Sequence, residues 1–582
     1  MRDAYSVSKV RAAEAALFQL VPDGALMQRA AAGLASVCAG LLRDGAGGVY
    51  GARVVILAGT GDNGGDALYA GERLARRGAA VTAVQAGPRI HAGGAAALMS
   101  AGGRIITVAP PPDPDATRVD VGGPGDPGGL PNPGGQPNQG GQSNRSEQPN
   151  QGGQRHGRYD VGHDVRRAIG YADLIIDGML GIGGKGGLRE PYATLAQLAA
   201  NARNAATVAV DLPSGIDADT GNVAGPAVHA DVTVTFGALK PGLLIDPGAS
   251  HAGVVEFVDI GLGPYLDHRP DASAPHARDI AALLPEPTAE SDKYRRGVLG
   301  LLVGSDRYTG AAVLATGGAV RGGAGMIRLV TFHGAAAAVR QLHPEVVITE
   351  LAGGTRVRSE VSAVKPAEDE PRFPDDVGRV QAWAVGSGMG TDDAAARRLE
   401  AVLATSLPVL IDADALTLLT KHKDLLPRRA PTLLTPHAGE LGRLLGVDPA
   451  DIEARRLEHA RRAATEFGAC VLLKGSTTVI APPDGLDPVL VNTTGTPWLA
   501  TAGTGDVLAG LAGALLAQGL LAPDAAIAAA YLHGLAARFA AAGTRAADSP
   551  DGGYGDGGAA PIGSSDVAAA LAAAIRTVSA AR

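Results

Sequence analysis

The 582-residue chain has few cysteines and few aromatic side chains: two Cys, two Trp, and 3% Phe, Trp and Tyr together. Cys38 and Cys470 lie far apart with no metal-type spacing, which excludes a disulfide framework or a thiolate metal cage. They read as buried thiols of a protein in a reducing cytoplasm. Basic runs are also missing, and a net charge of −8 argues against nucleic acid as a partner. The N-terminal MRDAYSVSKVRAAEAAL carries Asp3 and Glu14 and no apolar core segment, so no signal peptide is expected. The apolar stretch VLAGLAGALLA (507–517) stops at Gln518 and then meets Pro523 and Asp524. It is too short to span a bilayer and reads as a buried helix, so no membrane partner is expected.

What is abundant is Ala, Gly and Arg. Ala fits either face of an element, so hydrophobic periodicity is a weak signal in this chain. The length suggests two or three domains. Three segments cannot carry a core. Residues 110–158 hold Gly/Pro/Gln/Asn near-repeats and are expected to be disordered; 353–377 and 543–563 read as surface loops or insertions. The better joint is 265–280, with two Pro, several charges and no strand signal.

On both sides of that joint, apolar runs ending in Gly or Asp are followed by helical stretches. In the first half these runs are 53–59, 80–85, 174–180, 207–213 and 231–237. In the second they are 298–305, 326–331, 380–386, 408–414, 432–437 and 470–475. Near-continuous apolar strands alternating with helices indicate an α/β protein with mostly parallel sheets covered on both faces. Ligands of such sheets sit outside the carboxyl ends of the strands.

The chemistry-bearing residues fall at those ends. In the first half, GTGDNGGDA (59–67) places Asp62, Asn63 and Asp66 at a turn, where carbonyl-type oxygens suit a cation or a ribose hydroxyl. Asp177 ends the next long strand and leads into GMLGIGGKGGLR (178–189), a loop with Lys185 and Arg189 that could close over phosphate. VAVDLPSGIDADTG (208–221) puts Asp211 beside Ser214, and TFGALKPGLL (235–244) adds Lys240.

In the second half, NTTGTPWLATAGTGDVLAG (492–510) joins a glycine-rich turn, Asp506 and an apolar run that reads as a helix. Backbone N–H groups and the helix N-terminus favour phosphate there. A carboxylate in the same place is repelled by phosphate. The reading that accounts for it is that Asp506 takes a proton from a hydroxyl while Gly503, Thr504 and Gly505 hold the phosphoryl group under attack. An Asp-capped helix start would explain Asp506 but not those three together. Other strand-end motifs are VGSGMGTDD (385–393), IDADAL (411–416), LTPHAGE (434–440) and LLKGSTT (472–478).

The first-half motifs resemble the YjeF N-terminal family, the NAD(P)H-hydrate epimerases, over roughly residues 1–260. The resemblance implies a Rossmann-like domain, with substrate contacts at Asp62, Asn63, Gly64, Gly65 and Asp66 and at Gly181, Ile182, Gly183, Gly184, Lys185, Gly186 and Gly187. It also implies potassium at Asn63, Asp177 and Ser214, proton handling by Asp211, and Lys240 as its neighbour. Asp62 stands where the family has Asn; an extra negative charge beside pyrophosphate weakens binding unless a cation offsets it. The order and spacing of the second half resemble the ribokinase-like superfamily, in its ADP-dependent NAD(P)H-hydrate dehydratase branch, over roughly 278–582. This implies nucleotide contacts at Lys474, Gly475, Ser476, Thr477, Thr478 and Gly505, and hydrate contacts at Ala312, Gly388, His437 and Asp506. Asp506 would act as the base, with Mg2+ bridging phosphate oxygens. Ala438 replaces the family's Pro, a change expected to have little effect.

Together the two resemblances imply two three-layer αβα domains, 1–265 and 278–582. They also imply a cytoplasmic homo-oligomer that interconverts the R and S forms of NADHX and NADPHX and dehydrates the S forms with ADP. The alternatives are an ATP-dependent small-molecule kinase of the ribokinase class, and a first half that only binds.

Overall fold

Runs such as VVILA and LIID lack the alternation of a half-exposed strand and are buried on both faces, which is the pattern of central parallel strands. The computed structural model describes residues 1–108, 160–351, 373–485, 488–542 and 559–582. The expected disordered insertion 110–158 lies outside the described residues, as do 353–372 and 543–558.

In chain order the strands are β1 (Arg2–Ala4), β2 (Arg53–Ala58), β3 (Ala80–Gln85), β4 (Arg104–Thr107), β5 (Leu174–Gly178), β6 (Ala206–Val210), β7 (Val232–Phe236), β8 (Val254–Val258) and β9 (Ala272–Ala274). They continue as β10 (Val298–Leu302), β11 (Met326–Thr331), β12 (Val347–Glu350), β13 (Ala382–Val385), β14 (Val409–Ile411), β15 (Thr432–Leu434), β16 (Cys470–Leu473), β17 (Thr478–Ala481) and β18 (Val489–Asn492). Every expected strand forms.

Strands β2 to β8 make a seven-stranded parallel sheet in the order β4-β3-β2-β5-β6-β7-β8. The remaining strands make an eleven-stranded sheet, β1-β9-β18-β17-β16-β15-β14-β13-β10-β11-β12, parallel from β16 through β12 and antiparallel at β16-β17-β18. Both sheets are covered on two faces. Val54 and Ile56 of β2 join one apolar cluster and Val55 and Leu57 another; Leu299 and Leu301 of β10 face away from Val298 and Leu302. This is the expected α/β layering.

The segment 265–280, expected to be a linker without strands, contributes β9 and the start of the helix Ala277–Leu283. β9 is three small residues, too short to leave a pattern. It pairs antiparallel with β1 and parallel with β18, so the N-terminus of the chain is stitched into the larger sheet.

Two helices, Ala25–Gly45 and Ala522–Ala542, are long and apolar enough to cross a membrane by length and composition, although the sequence reading tested only 507–517. The second is packed in the interior, with 83% of its most apolar window buried.

Strand order reverses between β2 and β5 in the smaller sheet, and between β10 and β13 in the larger one. Each reversal opens a crevice at the carboxyl ends of the strands. The backbones meet closely there: Gly59 N–H donates to the Gly178 carbonyl at 3.0 Å, and Gly304 N–H donates to the Ser387 carbonyl at 2.7 Å. A Cβ on Gly59 would fall 1.9 Å from the Met179 carbonyl oxygen, so only glycine fits.

Candidate functional site

At the first crevice, the helix Asp62–Arg76 starts directly after β2, so Asp62 to Asp66 form its first turns rather than a loop. Asn63 donates from Nδ2 to the carbonyls of Leu180 (3.1 Å) and Val210 (2.9 Å), pinning the ends of β5 and β6 to the helix. A Cβ on Gly181 would lie 3.0 Å from Asn63 Oδ1, which explains a glycine at the loop's start.

Asp177 has no exposed surface and accepts from Ser214 N–H (2.8 Å), Ser214 Oγ (2.7 Å) and Met179 N–H (3.2 Å). Burial pushes its carboxyl up to about 6, against the pull of those three donors.

Asp211 follows β6 in the left-handed region, with φ 66°, a conformation that costs an aspartate stability and is retained at functional sites. Its Oδ1 is in an ion pair with Lys240, which is 1% exposed, and accepts from Thr235 Oγ1 and Phe236 N–H, each at 3.2 Å. Asp66 is buried nearby, and its Oδ1 has no hydrogen-bond partner among the described residues. Burial, then the charges of Asp211, Asp62 and Glu14, push its carboxyl well above the usual range.

At the second crevice the helix Thr504–Ala517 begins after Gly503, whose φ of 89° suits glycine. Asp506 lies in its first turn, close to Ser387. Burial pushes its carboxyl up to about 6, with Asp412 and Asp414 adding to the rise and Ser387 and Lys474 opposing it. Lys474 Nζ donates to Asp412 Oδ1 at 2.8 Å and lies 3.8 Å from Glu440 Oε2. Burial opposes its charge, but Asp412, Glu440 and Asp506 together raise its pKa. Asp412 also accepts from Thr435 Oγ1 (2.9 Å) and Ser387 Oγ (3.2 Å). Thr435, Asp412, Ser387, Asp506, Lys474 and Glu440 thus form one connected polar network at a helix N-terminus, suited to hold phosphate and to accept a proton.

A family model described as "NAD(P)H-hydrate dehydratase" matches residues 299–551, and one described as "YjeF-related protein N-terminus" matches 23–112 and 138–242. The bifunctional NAD(P)H-hydrate repair enzyme of Mycobacterium leprae is 43% identical over 555 residues, covering 94% of this chain and 96% of the relative. The chain belongs to that family.

The Escherichia coli enzyme of the same name is 36% identical over 388 residues, covering 65% of this chain and 70% of its own. Among solved structures, the ADP/ATP-dependent NAD(P)H-hydrate dehydratase of Bacillus subtilis, co-crystallised with ATP/Mg2+, matches at 27% identity. It covers 52% of this chain and 97% of that one, with a TM-score of 0.41.

The fold brings Asn63, Asp66, Asp177, Asp211 and Ser214 together at the first crevice and Lys474, Gly505 and Asp506 at the second; other expected residues are placed differently. Ala312 has no exposed surface and packs under Gly304, so its methyl is not available to a ligand; Tyr308 and Ala311 flank Gly388 instead. The Thr477 hydroxyl is committed to Asp246 of the first half, donating to Oδ2 at 2.9 Å and accepting the Asp246 N–H at 3.1 Å. Thr478 lies within β17, paired with Asn492. His437 caps the helix Ala438–Leu445: Nδ1 accepts from Gly439 N–H at 3.0 Å, while Glu440 accepts the His437 N–H at 2.9 Å. That leaves the imidazole half-exposed, with Nε2 3.6 Å from Glu440 Oε1. Ala438 is the first residue of that helix, where Pro is equally at home, so the change from the family's Pro is mild. Asp62 is exposed at the first position of its helix, where the dipole favours a carboxylate.

Sequence reasoning missed Ser387 and Asp412, although both lie inside motifs it singled out. It also missed Arg456, which is 1% exposed and donates to the Lys474 carbonyl at 2.9 Å from behind the 474–478 loop. His533 was missed too. It is buried close to the Thr504 backbone, and burial pushes it down to about 4. Glu14 was a further miss. It shares the 10, 13, 14, 17 stripe of the helix Val7–Phe18 with buried Val10, Ala13 and Leu17, and a charge within an apolar stripe is the signal that could have found it.

Proposed function

We propose that this chain carries both activities named for its family, interconverting the R and S forms of NADHX and NADPHX at the first crevice and dehydrating the S form at the second. The observation that carries this reading is Asp506, a carboxyl raised to about 6 at a helix N-terminus. That is a base poised near neutrality where phosphate binds best.

Asp506 accepts the proton of the C6 hydroxyl as that oxygen attacks the terminal phosphorus of ADP, and AMP leaves. Elimination of phosphate then restores the reduced nicotinamide. The N–H groups of the 503–506 turn meet the charge developing on the transferred phosphoryl group, and Lys474, anchored by Asp412 and Glu440, sets a cation beside the turn. A Cβ on Gly505 would lie 3.6 Å from Lys474 Nζ, so glycine gives phosphate its closest approach to that cation. Magnesium would enter with the nucleotide and supply charge neutralisation to its phosphates; among the described residues no group of three or more His, Cys, Asp or Glu forms a protein cage for it.

At the first crevice, Asp211 handles the proton at C6, with Lys240 as counter-charge. The oxygens of Asn63, Asp177 and Ser214 fit potassium: the donor set is all oxygen, and among the described residues the Asp177 carboxyl has hydrogen-bond donors but no cationic side chain bonded to it. Potassium there would neutralise Asp177 and stiffen the 178–189 loop. We assign 1–265 to the epimerase and 278–582 to the dehydratase, with β1 and β9 joining them. The working form would be a cytoplasmic homo-oligomer using no nucleic acid or membrane.

Offering S-NADHX with ADP, ATP or neither, and following reduced-nicotinamide absorbance, tests the second activity. Recovery with nucleotide alone is expected. Recovery without nucleotide, or none with either, would overturn it.

A further inference from the structure

We propose that Glu14 is the second proton-handling group of the first site, serving one face of the substrate ring while Asp211 serves the other; this rests on the epimerase reading and deepens it. Glu14 lies on the helix Val7–Phe18, which is fixed across the carboxyl ends of the smaller sheet. Ser6 N–H donates to Asp271 at 2.8 Å and Val7 N–H donates to Asp219 at 2.7 Å, anchoring its start. Val10, Ala13 and Leu17 bury its inner face. Glu14 shares that face. Arg11, on the same helix, lies beside the glycine loop: a Cβ on Gly183 would be 3.2 Å from its Nη2. The helix therefore covers the crevice and brings one carboxyl and one cation to it.

The charged groups that act on Glu14 come from three places. Asp211 and Lys240 come from the sheet ends, Asp62 and Asp66 from the helix Asp62–Arg76, and Arg11 from its own helix. Four carboxyls stand against two cations. Burial first, then Asp211, raises the Glu14 carboxyl, while Lys240 and Arg11 pull it down. Asp211 is paired with Lys240, and among the described residues Glu14 has no ion pair of that kind. One carboxyl is held against a lysine at the sheet ends and the other stands on the covering helix, an arrangement that offers an acceptor on one side of the crevice and a donor on the other. Asp66, nine-tenths buried with Oδ1 unpartnered among the described residues, is a polar group left for a ligand to satisfy.

The step balances without an outside reagent. Glu14 gives its proton to the C6 hydroxyl, the C6–O bond breaks, and water leaves with the electron pair. The lone pair of the ring nitrogen forms a C–N double bond. Water then adds to C6 from the opposite face, the double-bond pair returns to nitrogen, and the surplus proton goes to Asp211. Nothing is oxidised or reduced; one proton has moved from Glu14 to Asp211, and exchange with solvent returns it.

The test uses the full chain, following R-to-S conversion by chromatography without nucleotide, for wild type, Glu14→Gln and Glu14→Asp. Glu14→Gln is expected to lower kcat by about 100-fold or more with KM little changed, and Glu14→Asp to recover part of the loss. The wild-type rate should fall as pH rises through the Glu14 titration, and Glu14→Gln should lack that limb. Thermal melts identify a variant that has merely unfolded, and Glu14→Asp then carries the comparison. A Glu14→Gln variant that keeps its kcat, changes KM alone, or retains the limb overturns the proposal. A wild type that does not interconvert the epimers fails the epimerase reading itself, which is a separate result.

Discussion

Replacing Asp506 by Asn is expected to abolish dehydration while making the protein more stable, and the second effect follows from the same geometry as the first. On folding, the Asp506 carboxyl moves from 3.8 to about 6, chiefly through burial. A rise of that size corresponds to about 3 kcal/mol. The sign is fixed by the direction. The stability linked to the proton is fully present below pH 3.8 and is lost as pH rises through about 6, so at pH 8 the folded state carries the whole penalty. Asp506→Asn removes the charge and keeps the shape. Because Asp506 is partly exposed, the gain at pH 8 should be about 1–3 kcal/mol, shrinking as pH falls below 6. Urea unfolding of both proteins at a series of pH values between 5 and 8 measures this, alongside kcat for S-NADHX with ADP. The kinetic loss should be about 100-fold or more. An inactive variant with the same stability difference at every pH, or one less stable than wild type at pH 8, would refute the claim that burial holds this carboxyl in readiness.

Lys240→Met leaves Asp211 without its buried counter-charge and should cost about 3–5 kcal/mol in urea melts. Adding Asp211→Asn should restore most of that stability but no epimerisation; a single variant as stable as wild type would show that the pair is not sealed from solvent. Potassium chloride should raise the melting temperature by about 2–4 °C over tetramethylammonium chloride at pH 8. The difference should fade below about pH 6, where Asp177 takes up its proton, and vanish in Asp177→Asn; equal melts in both salts would remove the cation from the account. Gly475→Ala places a Cβ 1.9 Å from Arg456 Nη2 and displaces the guanidinium that holds the Lys474 carbonyl. The KM for nucleotide should rise by roughly tenfold with a smaller change in kcat, and an unchanged KM would take the 474–478 loop out of nucleotide binding.

The long strands were legible because a central parallel strand must be apolar throughout, and runs such as RVVILA and MIRLVT are little else. β1 and β9 were not, since three residues apiece cannot display a period and their pairing joins positions 270 residues apart. The glycine turns announced both crevices, because close backbone approach leaves only glycine. What they could not announce was which side chains complete the sites. Asp412 and Ser387 become part of the second site only because β13 and β14 lie side by side and end together. Thr477 looked like a nucleotide contact by its neighbours, but its hydroxyl meets Asp246, 231 residues away. Glu14 was hidden for a different reason. In a helix as rich in alanine as VSKVRAAEAALF, the boundary between buried and exposed faces is faint.

The central claim is that one chain runs two consecutive reactions, and the most direct measurement starts from the isomer that the second site cannot use. R-NADHX given to the full chain with ADP should recover reduced nicotinamide faster than the spontaneous epimerisation rate allows. Asp211→Asn should slow recovery from R but not from S, and Asp506→Asn should stop both. Recovery from R no faster than the uncatalysed conversion, or an Asp211→Asn variant that treats R and S as wild type does, would contradict the account.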